Sequence, residues 1–289
     1  MAVDVLQDKI RKKKNPTMLL LACGPQELPL DFGMDLTEAR RYGSYYEQLL
    51  EELKDLIPAV RVSFSSFAML GAEGLTVLSQ VLHGAASRGY YVALDAPQLL
   101  SAQAARQCAD LFMSNSCPYE FDGLVLPSYL GSDILKAFLP GCKRMEKDVF
   151  MVARTSNRTA SELQDLLTGF RLVHMAAADL ACRLGGELIG RHGFSQVGVV
   201  AAASSADSLK TLRSTYEQLF MLLDGSDYPN ANARNCSFAF DRFGHGAVAC
   251  IGSSVTEAWH KTPEKPWLPQ ARAAAERMKK NLTRYVNIL

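Results

Sequence analysis

The chain has 289 residues, 48% of them hydrophobic and 21% charged. That is the make-up of an ordinary globular protein, and at this length roughly 75% of the unfolded surface can be buried without disulfide or metal staples, which excludes disorder and collagen-like repetition. Lys and Arg number 31 against 30 Asp and Glu, a formal net charge of +1, so no global basic field exists to draw nucleic acid or anionic lipid, and neither is expected as a partner.

Seven cysteines (Cys23, Cys108, Cys117, Cys142, Cys182, Cys236 and Cys250) are scattered with no C-x-x-C pair. That pattern suits reduced thiols in a cytoplasmic protein, and no metal site is expected. The chain opens on an amphipathic stretch over about 3–13 that ends in the basic run Arg11 to Lys14. The run reads as a solvated helix end, and with no apolar core or cleavage site behind it no signal peptide is expected. Apolar runs such as 18–23 are about six residues long, against the roughly 20 needed to span a bilayer.

After the first helix, short apolar runs recur at 17–22, 59–64, 90–95, 123–126, 149–153, 197–202, 219–223 and 247–251. Each is continuously apolar rather than alternating, the mark of strands covered on both faces in a parallel sheet. Segments with i, i+3, i+4 apolar spacing lie between them, at 38–56, 71–87, 101–113, 132–139, 161–188, 206–216 and 232–243, and a last helix is predicted over about 269–286. Several begin with Ser, Asp or Thr in capping position. Eight buried strands alternating with helices predict an α/β fold, a closed (β/α)8 barrel forming one domain over 1–289. No G-x-G-x-x-G follows the first strand, and no linker or short-period repeat divides the chain.

In such a barrel the chemistry lies just after each strand. The residues there are Cys23-Gly24-Pro25, 63–67, Asp95-Ala96-Pro97, Pro127-Ser128-Tyr129, Arg154-Thr155-Ser156-Asn157, Ser204-Ser205, Asp224-Gly225-Ser226-Asp227 and Gly252-Ser253-Ser254. Cys23 sits where a nucleophile could, though a strand-end thiol is also ordinary packing. Tyr129 and Asp133 read as organisers of the loop after the fourth strand. The histidines His83, His174, His192, His245 and His260 fall in predicted helices or peripheral loops, away from the positions of a general base.

Taken in order, these strand ends resemble orotidine 5'-phosphate decarboxylase, in the longer bacterial branch of that family. The likeness is carried by Lys14-Asn15-Pro16 before the first strand, Gly71-Ala72-Glu73-Gly74-Leu75 after the second and Leu94-Asp95-Ala96 at the third. It continues in Tyr129-Leu130-Gly131-Ser132-Asp133, and most specifically in Arg154-Thr155-Ser156-Asn157 followed by Glu162-Leu163-Gln164-Asp165. The resemblance implies decarboxylation of orotidine 5'-phosphate to UMP with no metal or organic cofactor. It also implies a nucleotide-like ligand and a homodimer with the site at the subunit interface. Ser156 matches the position that would meet the pyrimidine base, flanked by Thr155 and Asn157.

The family places a Lys on the second strand and D-x-K-x-x-D after the third, so that an ammonium beside carboxylates stabilises charge developing on the ring and then donates a proton. This chain has Arg61 for the first Lys and Asp95 for the first Asp, but Pro97 and Leu100 stand at the second Lys and second Asp. Guanidinium keeps the charge of a lysine without serving as an acid near neutral pH. The strand 1 G-L-D-P is here Ala22-Cys23-Gly24-Pro25. At the phosphate end, Asp224-Gly225-Ser226-Asp227-Tyr228-Pro229-Asn230 and Gly252-Ser253-Ser254-Val255 replace a glycine-rich loop and an Arg, so like charge should oppose a dianion. Asp95 and Arg61 remain as remnants of a catalytic set. The leading expectation is a catalytically inactive paralogue with a binding, regulatory or structural role. The alternatives are a working decarboxylase, or a different enzyme on the same barrel using Cys23, Asp95, Arg61, Asp224 and Asp227.

Overall fold

The computed structural model describes residues 1–229 and 231–289, so Asn230 lies outside the described residues. Two short strands, β6 (Leu167–Thr168) and β7 (Arg171–Leu172), pair only with each other. The other eight are β1 (Thr17–Leu21), β2 (Ala59–Val62), β3 (Tyr91–Asp95), β4 (Gly123–Leu126), β5 (Asp148–Val152), β8 (Val197–Ala202), β9 (Met221–Asp224) and β10 (Ala247–Ile251). They form a closed parallel barrel in the order β1-β10-β9-β8-β5-β4-β3-β2. Every residue of β2, β4, β8 and β10 is buried, which is why, Arg61 on β2 apart, these segments are apolar without alternation.

Helix α1 (Ala2–Lys13) lies across the N-terminal end of the barrel, where Ala2 N donates to Glu146 O and Gln7 Oε1 accepts from Gly246 N. The outer ring is α2 (Glu38–Leu53), α4 (Gly71–Ser87), α5 (Ala102–Phe112), α6 (Ser132–Met145), α8 (Val173–Leu184), α9 (Ala206–Thr215) and α12 (Trp267–Thr283). Four short helices, α3 (Phe64–Ala68), α7 (Ser161–Gln164), α10 (Ala233–Ser237) and α11 (Ser253–Thr256), follow β2, β5, β9 and β10 at the opposite end.

Several predicted helices differ from the observed ones, among them the last, predicted over 269–286 and observed as Trp267–Thr283. The segment 161–188 is not one helix. After α7 the chain forms the β6–β7 hairpin, whose turn is Gly169-Phe170 with Gly169 at φ +66°. A positive φ is open to Gly at no steric cost and drives a tight hairpin where helical spacing suggested continuity. The segment 232–243 keeps only one turn of helix, because Asp241 Oδ1 accepts from Phe243 N and His245 N and folds the chain back. Conversely α6 runs through Pro140 to Met145, past the predicted end at 139. The helix predicted over 38–56 stops at Leu53.

The barrel interior is close-packed around Phe150. A Cβ on Gly198 would sit 2.6 Å from the Phe150 ring and one on Gly123 2.9 Å from it, so both neighbouring strands need a bare backbone there. Phe150 lies edge-on to Phe220, with ring centroids 6.5 Å apart. Phe150→Ala should therefore leave a cavity and cost about 3–5 kcal/mol, read as a lowered urea midpoint with unchanged far-ultraviolet circular dichroism.

Candidate active site

Arg61 on β2 points into the C-terminal mouth of the barrel and is only 9% exposed. Its Nε donates to Asp95 Oδ1 at 2.7 Å and its Nη1 to Asp224 Oδ1 at 3.2 Å. The two carboxylates come from the ends of β3 and β9, so one guanidinium ties together strands that are not neighbours in the barrel. Burial alone would lower the pKa of Arg61, but the carboxylates of Asp95 and Asp224 outweigh it and hold the group above its ordinary value. Two carboxylates against one guanidinium leave the trio with a formal charge of −1, and none of its members is placed as a free proton donor.

Ser156 is buried beside this trio and its Oγ donates to the backbone carbonyl of Asp224. Its neighbours turn the other way. Thr155 N donates to Gln164 Oε1 at 2.8 Å, Thr155 Oγ1 donates to Asn157 Oδ1, and Asn157 Nδ2 reaches Thr159 Oγ1 at 3.2 Å. The Thr-Ser-Asn segment thus serves two places: Ser156 the mouth, and Thr155 with Asn157 the turn leading to α7.

Asp227 is engaged as well. Its Oδ2 accepts from Gly252 N at 2.8 Å and Ser254 N at 3.0 Å, so the carboxylate occupies the backbone N–H groups at the end of β10. Two acids in this mouth are therefore balanced differently, Asp224 by a guanidinium and Asp227 by peptide dipoles. Arg234 does not fold over them. It lies exposed on α10, lining a separate recess of about 560 Å³ with Asp227 and Arg284.

Between the ends of β1, β9 and β10 the mouth narrows to a cleft of about 220 Å³, lined among others by Glu27, Asp227, Cys250, Gly252 and Glu257. Glu27 is a buried carboxyl in the short turn after β1, and it accepts from the Tyr46 hydroxyl. Trp259 Nε1 donates to Glu27 O at 3.1 Å, fixing the turn from the other side. Burial pushes the Glu27 carboxyl up to about 8, and Glu257 adds to the rise while the Tyr46 bond opposes it. Cys23, close by, is pushed up to about 12 by burial and by Glu27, so its thiol stays protonated and is a poor nucleophile. Among the described residues no group of three or more His, Cys, Asp or Glu is placed to hold a metal ion, and no helix is long and apolar enough to cross a membrane.

No family model matches the chain. Curated relatives do: a Rhodopirellula baltica protein named orotidine 5'-phosphate decarboxylase is 26% identical over 274 residues, covering 89% of this chain and 90% of the relative. A Clostridium acetobutylicum protein of the same name is 24% identical over 285 residues, covering 96% and 98%. Over most of its length the chain is thus similar to proteins named orotidine 5'-phosphate decarboxylase. Among solved structures, Leishmania donovani OMP decarboxylase superposes with a TM-score of 0.74 at 22% identity, covering 98% of each chain. The Methanocaldococcus jannaschii decarboxylase complexed with the inhibitor BMP superposes with a TM-score of 0.61 at 15% identity, covering 92% of this chain and 99% of that one. These likenesses are to the barrel.

In this barrel the structure brings Arg61, Asp95, Asp224 and Ser156 into one contact set, with Asp227 beside it and Cys23 next to Glu27. Thr155 and Asn157 stay outside that set. Leu99 is buried, and only Leu100 remains at the rim, 80% exposed. Tyr129 does not organise its loop, since it stands 88% exposed. The sequence reading missed Glu27, Cys250 and Glu257 in the cleft. Glu27 carried one usable signal, its place three residues after Gly24 in a strand-end turn.

The raised Glu27 has a signed consequence. Between its unfolded value near 4.5 and about 8, the folded chain holds a proton that the unfolded chain has lost, so stability falls as pH rises through that window and levels off above it. Glu27→Gln keeps an acceptor for Tyr46 and removes the titration. Urea unfolding at pH 5 and pH 8.5 should show the wild type losing about 2–4 kcal/mol more than the variant across this range, and equal losses in both would contradict the assignment.

Proposed function

We propose that this chain is a decarboxylase-family barrel that does not decarboxylate orotidine 5'-phosphate and that uses its mouth for binding, regulation or structure. The observation that carries the reading is the position of Arg61, closed between Asp95 and Asp224. The family's reaction, as the resemblance implies, needs an ammonium beside carboxylates that stabilises a developing carbanion and then gives it a proton. A guanidinium keeps the charge but gives up no proton near neutral pH, and Arg61 is held by Asp95 and Asp224 away from any such role. Pro97 carries no proton, and Leu100 offers no charge.

The phosphate end supports the same reading. A phosphate bound at the ends of β9 and β10 would need the N–H groups of Gly252 and Ser254, and Asp227 holds both. The incoming dianion would have to displace that carboxylate and then lie beside it in a partly desolvated mouth. Purified protein should therefore show no turnover of orotidine 5'-phosphate. In calorimetry UMP should bind no more tightly than millimolar, about 4 kcal/mol. A micromolar constant that is lost in Arg234→Ala would overturn this and restore the working-enzyme reading.

A homodimer through the β2 to β4 side of the mouth belongs to the same proposal. Met69, Leu100 and Tyr129 follow these strands and are all largely exposed, and apolar side chains of this kind are what an obligate interface buries. Sedimentation at micromolar concentration should show a dimer that Leu100→Lys shifts toward monomer; a wild-type monomer would count against it.

A further inference from the structure

Away from the mouth, three side chains from separate elements meet in an order that none of them needs for packing alone. His174, at the start of α8, is 2% exposed. Its Nδ1 lies 3.0 Å from Gln164 O and 3.1 Å from Asp165 Oδ1. Both neighbours are acceptors, so Nδ1 carries the hydrogen and Nε2 keeps its lone pair. Nε2 lies 3.1 Å from Ser208 Oγ, so in the neutral imidazole with its hydrogen on Nδ1 the serine hydroxyl donates to Nε2.

Asp165 is itself held, with Arg154 Nε on Oδ1 at 3.0 Å and Nη2 on Oδ2 at 2.8 Å. This fork, with His174 adding to it, keeps the carboxyl below its usual range. Ser208 sits in the first turn of α9, a helix of 10 residues whose Ser205 makes no side-chain cap bond. The N–H groups of Ala206, Asp207 and Ser208, in the same first turn as the hydroxyl, have no acceptor within the helix.

We propose that Ser208, His174 and Asp165 form a second site that hydrolyses small carboxylic esters through an acyl-serine. A hydroxyl donating to a neutral imidazole whose other nitrogen is fixed by acceptors is the arrangement that activates a serine, whatever the fold around it. Ser208 Oγ bonds to the ester carbonyl carbon as its proton passes to His174 Nε2, and the N–H groups of the first turn of α9 receive the oxyanion. The C–O bond to the alcohol then breaks and the alcohol leaves with that proton. Water adds to the acyl-serine, gives its proton to Nε2, and the acid departs as Ser208 regains its hydrogen. Ser208 is half-buried in the ring of helices rather than set in a deep cavity, so the class is small, activated esters. Leu166 and Leu167, exposed and next in the chain to Asp165, offer the apolar contact for the acyl group.

Diisopropyl fluorophosphate and p-nitrophenyl acetate test this on the full chain. The fluorophosphate should add to the peptide carrying Ser208 at least tenfold faster than to any other serine, and Ser208→Ala should abolish the adduct. Acetate hydrolysis should fall at least tenfold in the same variant, a substitution that suits a helix and leaves the fold intact. Ser208→Cys should retain acyl transfer and take up iodoacetamide at that position. No adduct on Ser208, or hydrolysis unchanged in Ser208→Ala, would overturn the proposal. Neither outcome bears on turnover of orotidine 5'-phosphate, which concerns the opposite chemistry at the barrel mouth.

Discussion

A guanidinium inside a barrel must find its counter-charges within reach of its own planar fork, and Arg61 takes them from the ends of two strands that do not pair with each other. The rest of the mouth is arranged around that demand. Asp224 is drawn inward by Arg61, which brings its backbone carbonyl to Ser156 Oγ, and the turn after β9 starts from this fixed point. Taking one partner away from a buried ion pair costs about 3–5 kcal/mol, because the remaining charge is stranded. Within such a trio the geometry of each member is therefore set by the other two rather than by an incoming ligand.

Asp227 extends the same logic to peptide groups. Backbone N–H groups at a strand end would otherwise seek an anion or water, and here the chain supplies its own carboxylate. The guanidinium of Arg61 and the N–H pair of Gly252 and Ser254 are both paired within the chain. Glu27, held neutral by burial up to about pH 8, lines the remaining cleft together with Glu257. One guanidinium offsets only one of the two carboxylates it touches, and Asp227 and Glu257 stand nearby, so the mouth keeps an acidic character.

The barrel could be read from the sequence because two-sided burial writes itself directly into composition: β8 reads Val-Gly-Val-Val-Ala-Ala and every residue is buried. The partners of the charged residues could not be read in the same way. Asp224 and Asp227 are three positions apart and look like one acidic patch, yet one faces a guanidinium across the barrel and the other the amides of β10's end. Leu99 and Leu100 look alike in sequence and lie on opposite sides of the surface. Pairing across a barrel depends on register and strand tilt, and neither is encoded in local spacing.

The hairpin that interrupts the predicted 161–188 helix shows how much can turn on one such miss. In a continuous helix Asp165 and His174 would be nine positions apart, about 13 Å along the axis at 1.5 Å per residue. The turn at Gly169 folds the chain back instead, so that Val173 N donates to Leu166 O and the imidazole lies against the carboxylate. The contact between Asp165 and His174, and through it the orientation of His174 toward Ser208, is thus a product of a single residue able to adopt positive φ. The residues that meet there were each visible in the sequence; what brings them together is backbone geometry, which periodicity of apolar residues does not report.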